Sequence, residues 1–302
     1  MTNNTAVKFR RTDVRFPAEG GIELSAWLFL PDRPGPLPAI TMAHGYTGTR
    51  HHGLEPIAQA FAEAGFVVLV HDHRGFGESG GAPRQDVNPW QQITDWRRAI
   101  SYLQDRPEVD PERIGVWGTS FAGGHAIVLG ATDRRLKAVV AQVPTIDGFE
   151  SGQRRVSPDA VDGLEARFAA DERGQLRGEA PAMQPIVNPE AAAGAYGAPD
   201  AVRFYLQSIP DGLWTNEVTV RSTRWFRMYA PGGFIERVSP TPLLMVVARQ
   251  DHVAPTDMAL RAYERALEPK RLVMTQGGHF DPYVRELETA SGAAVDWFRT
   301  HL

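Results

Sequence analysis

Six short runs, apolar almost without interruption and rich in β-branched residues, recur along the chain: "LPAITMAHG" (37–45), "FVVLVHDHRG" (66–75), "RIGVWGTS" (113–120), "LKAVVAQVP" (136–144), "TPLLMVVARQD" (241–251) and "RLVMTQGGH" (271–279). Near-continuous apolarity over about five residues is the pattern of a strand buried on both faces, as in a parallel sheet. Such a sheet needs helices on both sides, and the intervening sequence supplies them. Ile57, Ala60, Phe61 and Ala64 form one helical stripe,. Ile93, Trp96, Ile100 and Leu103 form a second. Ala259, Tyr263 and Leu267 form a third, with Thr256 as its expected N-cap,. Val284, Leu287, Ser291, Val295 and Phe298 form the last, with Asp281-Pro282 as expected cap and first residue,. The opening "VKFRRTDVRFPAEGGIELSAWLFLPD" alternates instead, and predicts an antiparallel hairpin through its Gly-Gly turn,. The expected class is α/β, with a mainly parallel central sheet flanked by helices.

One stretch breaks the alternation. Residues 147–233 carry no buried-strand pattern but three helical stripes: Val161, Leu164 and Phe168; Val202, Tyr205, Leu206 and Ile209; Val218, Ser222, Trp225, Phe226 and Tyr229. Loops such as "APAMQPIVNPEAAAGAYGAPD" lie between them. This predicts a core of residues 1–146 and 234–302 with a helical cap inserted at 147–233, over the crevice at the strand ends,.

Composition narrows the function classes. A net charge of −4, with its arginines scattered, argues against a nucleic-acid partner,. The absence of cysteine removes disulfides, thiolate nucleophiles and thiolate-held metals from consideration,. The start "MTNNTAVKFRR" has no apolar signal core, and no apolar run nears the roughly 20 residues of a membrane span, so a cytoplasmic protein without membrane attachment is expected,.

Open α/β sheets bind ligands at the carboxyl ends of their strands. In order, those ends carry "HGYTG" (44–48), "HDHRGFGESGG" (71–81), Ser120, Asp251 and His279. Three of these positions offer a nucleophile, an acid and a base, in the order Ser, Asp, His. Ser120 sits in "GTSFAG", where glycines at a strand-to-helix turn admit a strained backbone that pushes a hydroxyl into the open,. His71, Asp72 and His73 do not converge on a metal, because neighbouring strand residues face opposite ways,. "GFGESGG" lacks the Lys-Ser/Thr pair of a phosphate loop,. No metal and no cofactor are expected.

With "HGYTG", "DHRGFGESGG", "GTSFAG", "RQDHVAP" and "GGHFDPY" in this order, the chain resembles the α/β-hydrolase-fold serine hydrolases. It is most similar to the bacterial group with dienelactone-hydrolase-like, acetyl-esterase-like and X-Pro-peptidase-like members. One departure stands out: the last glycine of the usual G-x-S-x-G turn is Ala122, followed by Gly123 and Gly124. The resemblance implies Ser120 as nucleophile, His279 as base and Asp251 as the acid that orients it. It implies an oxyanion hole from the backbone N–H groups of Tyr46 and Phe121, with the Tyr46 phenol a further candidate. His44 and Gly45 are expected to shape that loop, and His252 to point away from Asp251's partner. Trp214, Trp225, Phe226 and Tyr229 are candidate walls of an acyl pocket, or else the core of the cap itself. The expected activity is carboxylesterase-like cleavage of a small-molecule acyl ester through an acyl-enzyme. Amide, peptide, thioester, lactone and carbon–carbon substrates stay open, as do a catalytically silent ligand-binding protein and a homo-oligomer, because the cap decides what enters.

Overall fold

The computed structural model describes residues 6–188 and 198–302. Strand β1 (Phe9–Pro17) folds back on β2 (Glu23–Pro31) through the Gly20-Gly21 turn, in an antiparallel register that pairs Phe9 with Pro31 and Pro17 with Glu23. The alternating elements follow: β3 (Leu37–Ala43), α1 (Glu55–Glu63), β4 (Val67–His71), α2 (Pro89–Gln104), β5 (Val109–Thr119), α3 (Phe121–Thr132) and β6 (Leu136–Gln142). The next segment holds α4 (Gly148–Arg155), α5 (Val161–Leu176), β7 (Met183–Pro185), α6 (Pro199–Tyr205), β8 (Glu217–Thr219) and α7 (Val220–Arg227). The chain then returns to the main sheet with β9 (Leu243–Ala248), α8 (Thr256–Arg265), β10 (Lys270–Thr275) and α9 (Leu287–His301).

The main sheet has eight strands among the described residues, in the order β1-β2-β4-β3-β5-β6-β9-β10. Strand β2 meets β4 antiparallel, and every pairing from β4 to β10 is parallel. The architecture is the expected α/β class with its antiparallel hairpin at one edge. Strands β4 and β9 are buried at every position, which explains their continuous apolar sequences,. Helix α2 starts where Asn88 accepts hydrogen bonds from the Trp90 and Gln91 N–H groups, with Pro89 supplying a preset φ,. The buried Trp96 indole donates to Thr41 Oγ1 at 2.9 Å, so its polar edge is satisfied within the core,. Helix α3 is buried from Phe121 to Gly130, and its sequence is accordingly apolar on every side,.

Three local expectations are corrected. Between β6 and β9, β7 and β8 form a two-stranded antiparallel ladder where only helices and loops were read. Strands of three residues are too short to show alternation. Of the stretch read as a loop over 180–200, residues 183–185 belong to β7 and 199–200 open α6, while 189–197 lie outside the described residues, as do 1–5 at the start. Thr256 is the first residue of α8 rather than its cap; its hydroxyl accepts from the Asp251 N–H at 3.1 Å and donates to the Ala248 carbonyl at 2.7 Å. Asp281-Pro282 forms a separate short turn (Asp281–Tyr283), and α9 begins only at Leu287. The Asp281 carboxylate instead accepts from the Gly278 N–H at 2.6 Å. Among the described residues, no helix is long and apolar enough to cross a membrane.

Candidate active site

The parallel strands bring their carboxyl ends to one edge. Ser120 follows β5 and holds φ 56°, ψ −119°, a left-handed conformation that a side-chain-bearing residue adopts only under strain,. Its surroundings hold it there. The Ser120 N–H donates to the Gln142 carbonyl at 2.8 Å, and the Ser120 carbonyl accepts from Gly123 and Thr145, both at 2.9 Å. The glycines explain how the turn closes. A Cβ on Gly118 would lie 2.0 Å from the Ala122 carbonyl oxygen, and one on Gly123 would lie 2.9 Å from Pro144 Cα. The close approaches of helix to sheet therefore fall at Gly118 and Gly123, and the residue between them on the helix, Ala122, is accommodated fully buried.

His279, after β10, and Asp251, after β9, reach the same point. His279 Nε2 lies 2.9 Å from Ser120 Oγ, and Nδ1 lies 2.7 Å from Asp251 Oδ2. A carboxylate only accepts, so Nδ1 carries the hydrogen and Nε2 is left to accept from the serine hydroxyl. The other carboxylate oxygen accepts from the Val253 and Ala254 N–H groups at 2.8 and 2.7 Å, which fixes the Asp251 side chain. All three side chains are buried. His252 is exposed. Asp147 is remote from this chemistry; it caps α4 through the Glu150 N–H.

The loop after β3 packs against the serine. A Cβ on Gly45 would lie 2.9 Å from Ser120 Cβ and 3.4 Å from its Oγ, so only glycine leaves that oxygen open. Tyr46, which follows, also lines the cleft over the serine. Phe121 N–H, at the first position of α3, has no acceptor within the helix. His44 anchors the loop: its Nε2 accepts from the His73 N–H at 3.0 Å, so Nδ1–H donates to the Gly45 carbonyl at 2.9 Å. Burial lowers His44 to about 4 and His52 to about 3, which keeps both rings neutral,.

A cleft of about 350 Å³, its open mouth included, lies over Ser120. Phe204 and Tyr205 of α6, with Phe280 and Tyr283, form its aromatic wall, and Leu54 and Val253 contribute aliphatic surface. Phe204 stacks on Phe280 at 4.5 Å. Among the described residues, no Asp, Glu, Lys or Arg lines it. A roomier cleft of about 1280 Å³, its open mouth likewise included, lies among Lys8, Arg10, Arg33 and Glu108, at the amino edge of the parallel strands and away from the serine.

The four aromatic residues read from the sequence as candidate walls sit elsewhere. Phe226 stacks on Phe121 at 5.5 Å and meets Tyr46 edge-on. The Tyr229 ring packs on Phe121, and its hydroxyl pairs with His125 Nδ1 at 2.8 Å. Trp214 donates to the Thr47 carbonyl at 2.8 Å, and Trp225 is half-buried on α7. Tyr46 does line the cleft, whereas Phe204, Tyr205, Phe280 and Tyr283 carry no wall role in the sequence reading, although Phe280 and Tyr283 stand within the "GGHFDPY" motif itself. His71, Asp72 and His73 divide as strand geometry requires. The two rings stand 5.2 Å apart on one side, while Asp72 turns to Arg50 at 2.8 Å. Among the described residues no group of three or more such side chains is arranged to hold a metal.

A parallel sheet with a strained serine, an imidazole and a carboxylate at one strand edge defines the class: an α/β-hydrolase. Residues 20–281 match the X-Pro dipeptidyl-peptidase (S15) family, and the chain belongs to it. It is 36% identical over 275 residues to the quorum-quenching protein AidA of Acinetobacter baumannii, covering 91% of this chain and 89% of that one. It is 31% identical to the thiohydrolase aneE of Aspergillus aculeatus, covering 86% and 83% of the two chains. The crystal structure of the α/β hydrolase GrgF from Penicillium superposes with a TM-score of 0.80 at 28% identity, covering 97% and 99%. GrgF is described as a polyketide transferase. Family and relatives together make this chain a hydrolase of acyl bonds.

Proposed function

We propose that this protein cleaves neutral acyl esters through an acyl-enzyme on Ser120, with His279 as base and Asp251 as its orienting acid. The observation that carries the reading is the continuous pair of hydrogen bonds from Ser120 Oγ to His279 to Asp251, at 2.9 and 2.7 Å. The Ser120 proton passes to His279 Nε2 as Oγ bonds to the substrate carbonyl carbon. The carbonyl oxygen gathers the negative charge, facing the N–H groups of Tyr46 and Phe121. The leaving group departs with the proton from Nε2, and water then repeats the sequence to release the acid. The 147–233 segment acts as a cap, since its Phe204 and Tyr205 wall the cleft.

The wall's chemistry specifies the acyl group. It is apolar and aromatic, burial keeps His44 and His52 neutral, and among the described residues no Asp, Glu, Lys or Arg lines it, so it offers no fixed counter-ion to a charged chain,. A thioester is the second reading, favoured by the thiohydrolase and the polyketide transferase among the relatives. Oxoester, thioester and anilide substrates sharing one acyl chain test both, together with an acyl chain ending in a carboxylate. Oxoester and thioester should be cleaved. The anilide should lag, and the charged chain should lose at least about tenfold in kcat/KM, roughly 1.4 kcal/mol of binding in the transition state. Preference for the anilide or for the charged chain would overturn the reading.

A further inference from the structure

The loop that carries Tyr46 is tied down at both ends by the sheet. At one end the His73 N–H holds His44 Nε2 at 3.0 Å. At the other, Asp72 accepts from the Arg50 N–H and from Arg50 Nη1, both at 2.8 Å. Between these anchors Thr47 adopts φ 58°, a strained conformation that persists only where its surroundings enforce it,. Two hydrogen bonds reach this middle from the segment between β6 and β9. Tyr205 Oη donates to the Tyr46 carbonyl at 2.6 Å, and Trp214 Nε1 donates to the Thr47 carbonyl at 2.8 Å. The Thr47 hydroxyl fills the second site on the Tyr46 carbonyl at 2.7 Å. The two donors form one unit: their rings stack at 6.2 Å, and both rest on His52, whose Nδ1 accepts from the Thr49 N–H of the same loop.

We infer that Tyr205 and Trp214 are positioning residues, clamping two consecutive peptide carbonyls so that the Tyr46 N–H is held where the oxyanion forms. This rests on the proposed role of Ser120. The clamp belongs to the segment that also walls the cleft, so moving that segment aside breaks both hydrogen bonds. The oxyanion hole is complete only while the segment is seated on the loop, which couples coverage of the substrate to competence for the chemical step.

Tyr205→Phe removes the hydroxyl and keeps the ring, and Trp214→Phe removes the indole N–H. The test follows the rate and the final extent of fluorophosphonate labelling at Ser120 in each variant, beside kcat and KM for one oxoester. Phosphonylation needs the same hole, so its rate constant should fall on the order of tenfold. The final extent should stay at one label per chain, kcat should fall by the same factor as the labelling rate, and KM should stay within about twofold of the parent. Labelling of the parent with an unchanged rate in both variants would overturn the clamp and leave the serine mechanism standing. A fall in final extent at an unchanged rate would show lost fold rather than lost positioning, and would overturn it too. Failure of the parent itself to label would remove the serine reading, and the clamp with it.

Discussion

Ser120→Ala is expected to lower kcat by about 10⁶, the scale seen when a catalytic serine is removed elsewhere, while leaving the protein folded. The geometry explains both halves. The hydroxyl is the atom that His279 Nε2 contacts at 2.9 Å, and alanine has nothing to put there. The backbone hydrogen bonds from Ser120 to Gln142, Gly123 and Thr145 do not involve the side chain, so the turn survives. Alanine keeps a Cβ at φ 56° and therefore keeps the strain. Ser120→Gly removes both, and should melt higher than Ser120→Ala by the equivalent of about 1 kcal/mol, while being just as inactive. Turnover assays and thermal melts of the two variants check this pair. Substantial turnover in either would displace Ser120 from the mechanism, and equal melting temperatures would show that the turn carries no strain.

The second large effect is acid unfolding near pH 5. His44, His71, His73 and His125 are buried together, with the His73 ring at the centre, 4.5, 5.2 and 5.7 Å from those of His44, His71 and His125, and His52 lies buried further along the same loop as His44. Burial, the largest cause in every case, lowers His44 to about 4 and His52, His71 and His125 to about 3, and takes His73 well below the usual value. Below the ordinary value of 6.5 the unfolded chain therefore binds protons that the folded chain refuses,. Stability falls as the pH drops through 6.5, and the loss is complete near 4 for His44 and near 3 for the other three. At pH 5 each of these four forfeits roughly 2 kcal/mol, about 8 in all, against a typical total stability of 5–15 kcal/mol. Asp72, raised by its own burial, works in the opposite direction but is one group against five. Far-ultraviolet circular dichroism across pH 7 to 4 should show cooperative loss of structure. A native spectrum retained at pH 4 would mean that these rings accept protons in the folded state.

The core and the three polar strand ends were legible because they depend on local pattern. Continuous apolarity marks a doubly covered strand, and a polar residue after such a run must emerge at the sheet edge. That reasoning reaches Ser120, Asp251 and His279 one at a time. It does not reach the cleft wall, because Phe204 meets Phe280 only after the chain has crossed from α6 to the far side of β10, and nothing in either neighbourhood encodes the other. Phe226 and Tyr229 illustrate the same limit. Their helical spacing is real, but the face they share packs onto Phe121 rather than onto substrate. Thr256 and Asp281 look like helix caps by sequence. Each is engaged instead in holding the loops of Asp251 and His279, a use visible only once those loops are in place.

The central claim is that a covalent acyl group resides on Ser120 during turnover. Acid-quenching the protein during reaction with a slowly released acyl ester, followed by peptide mass spectrometry, reads this directly. The expected product is one acyl group per chain, carried on the peptide containing Gly118–Ser120–Ala122 and absent from Ser120→Ala. An acyl group on any other residue, or sustained turnover by Ser120→Ala, would contradict it.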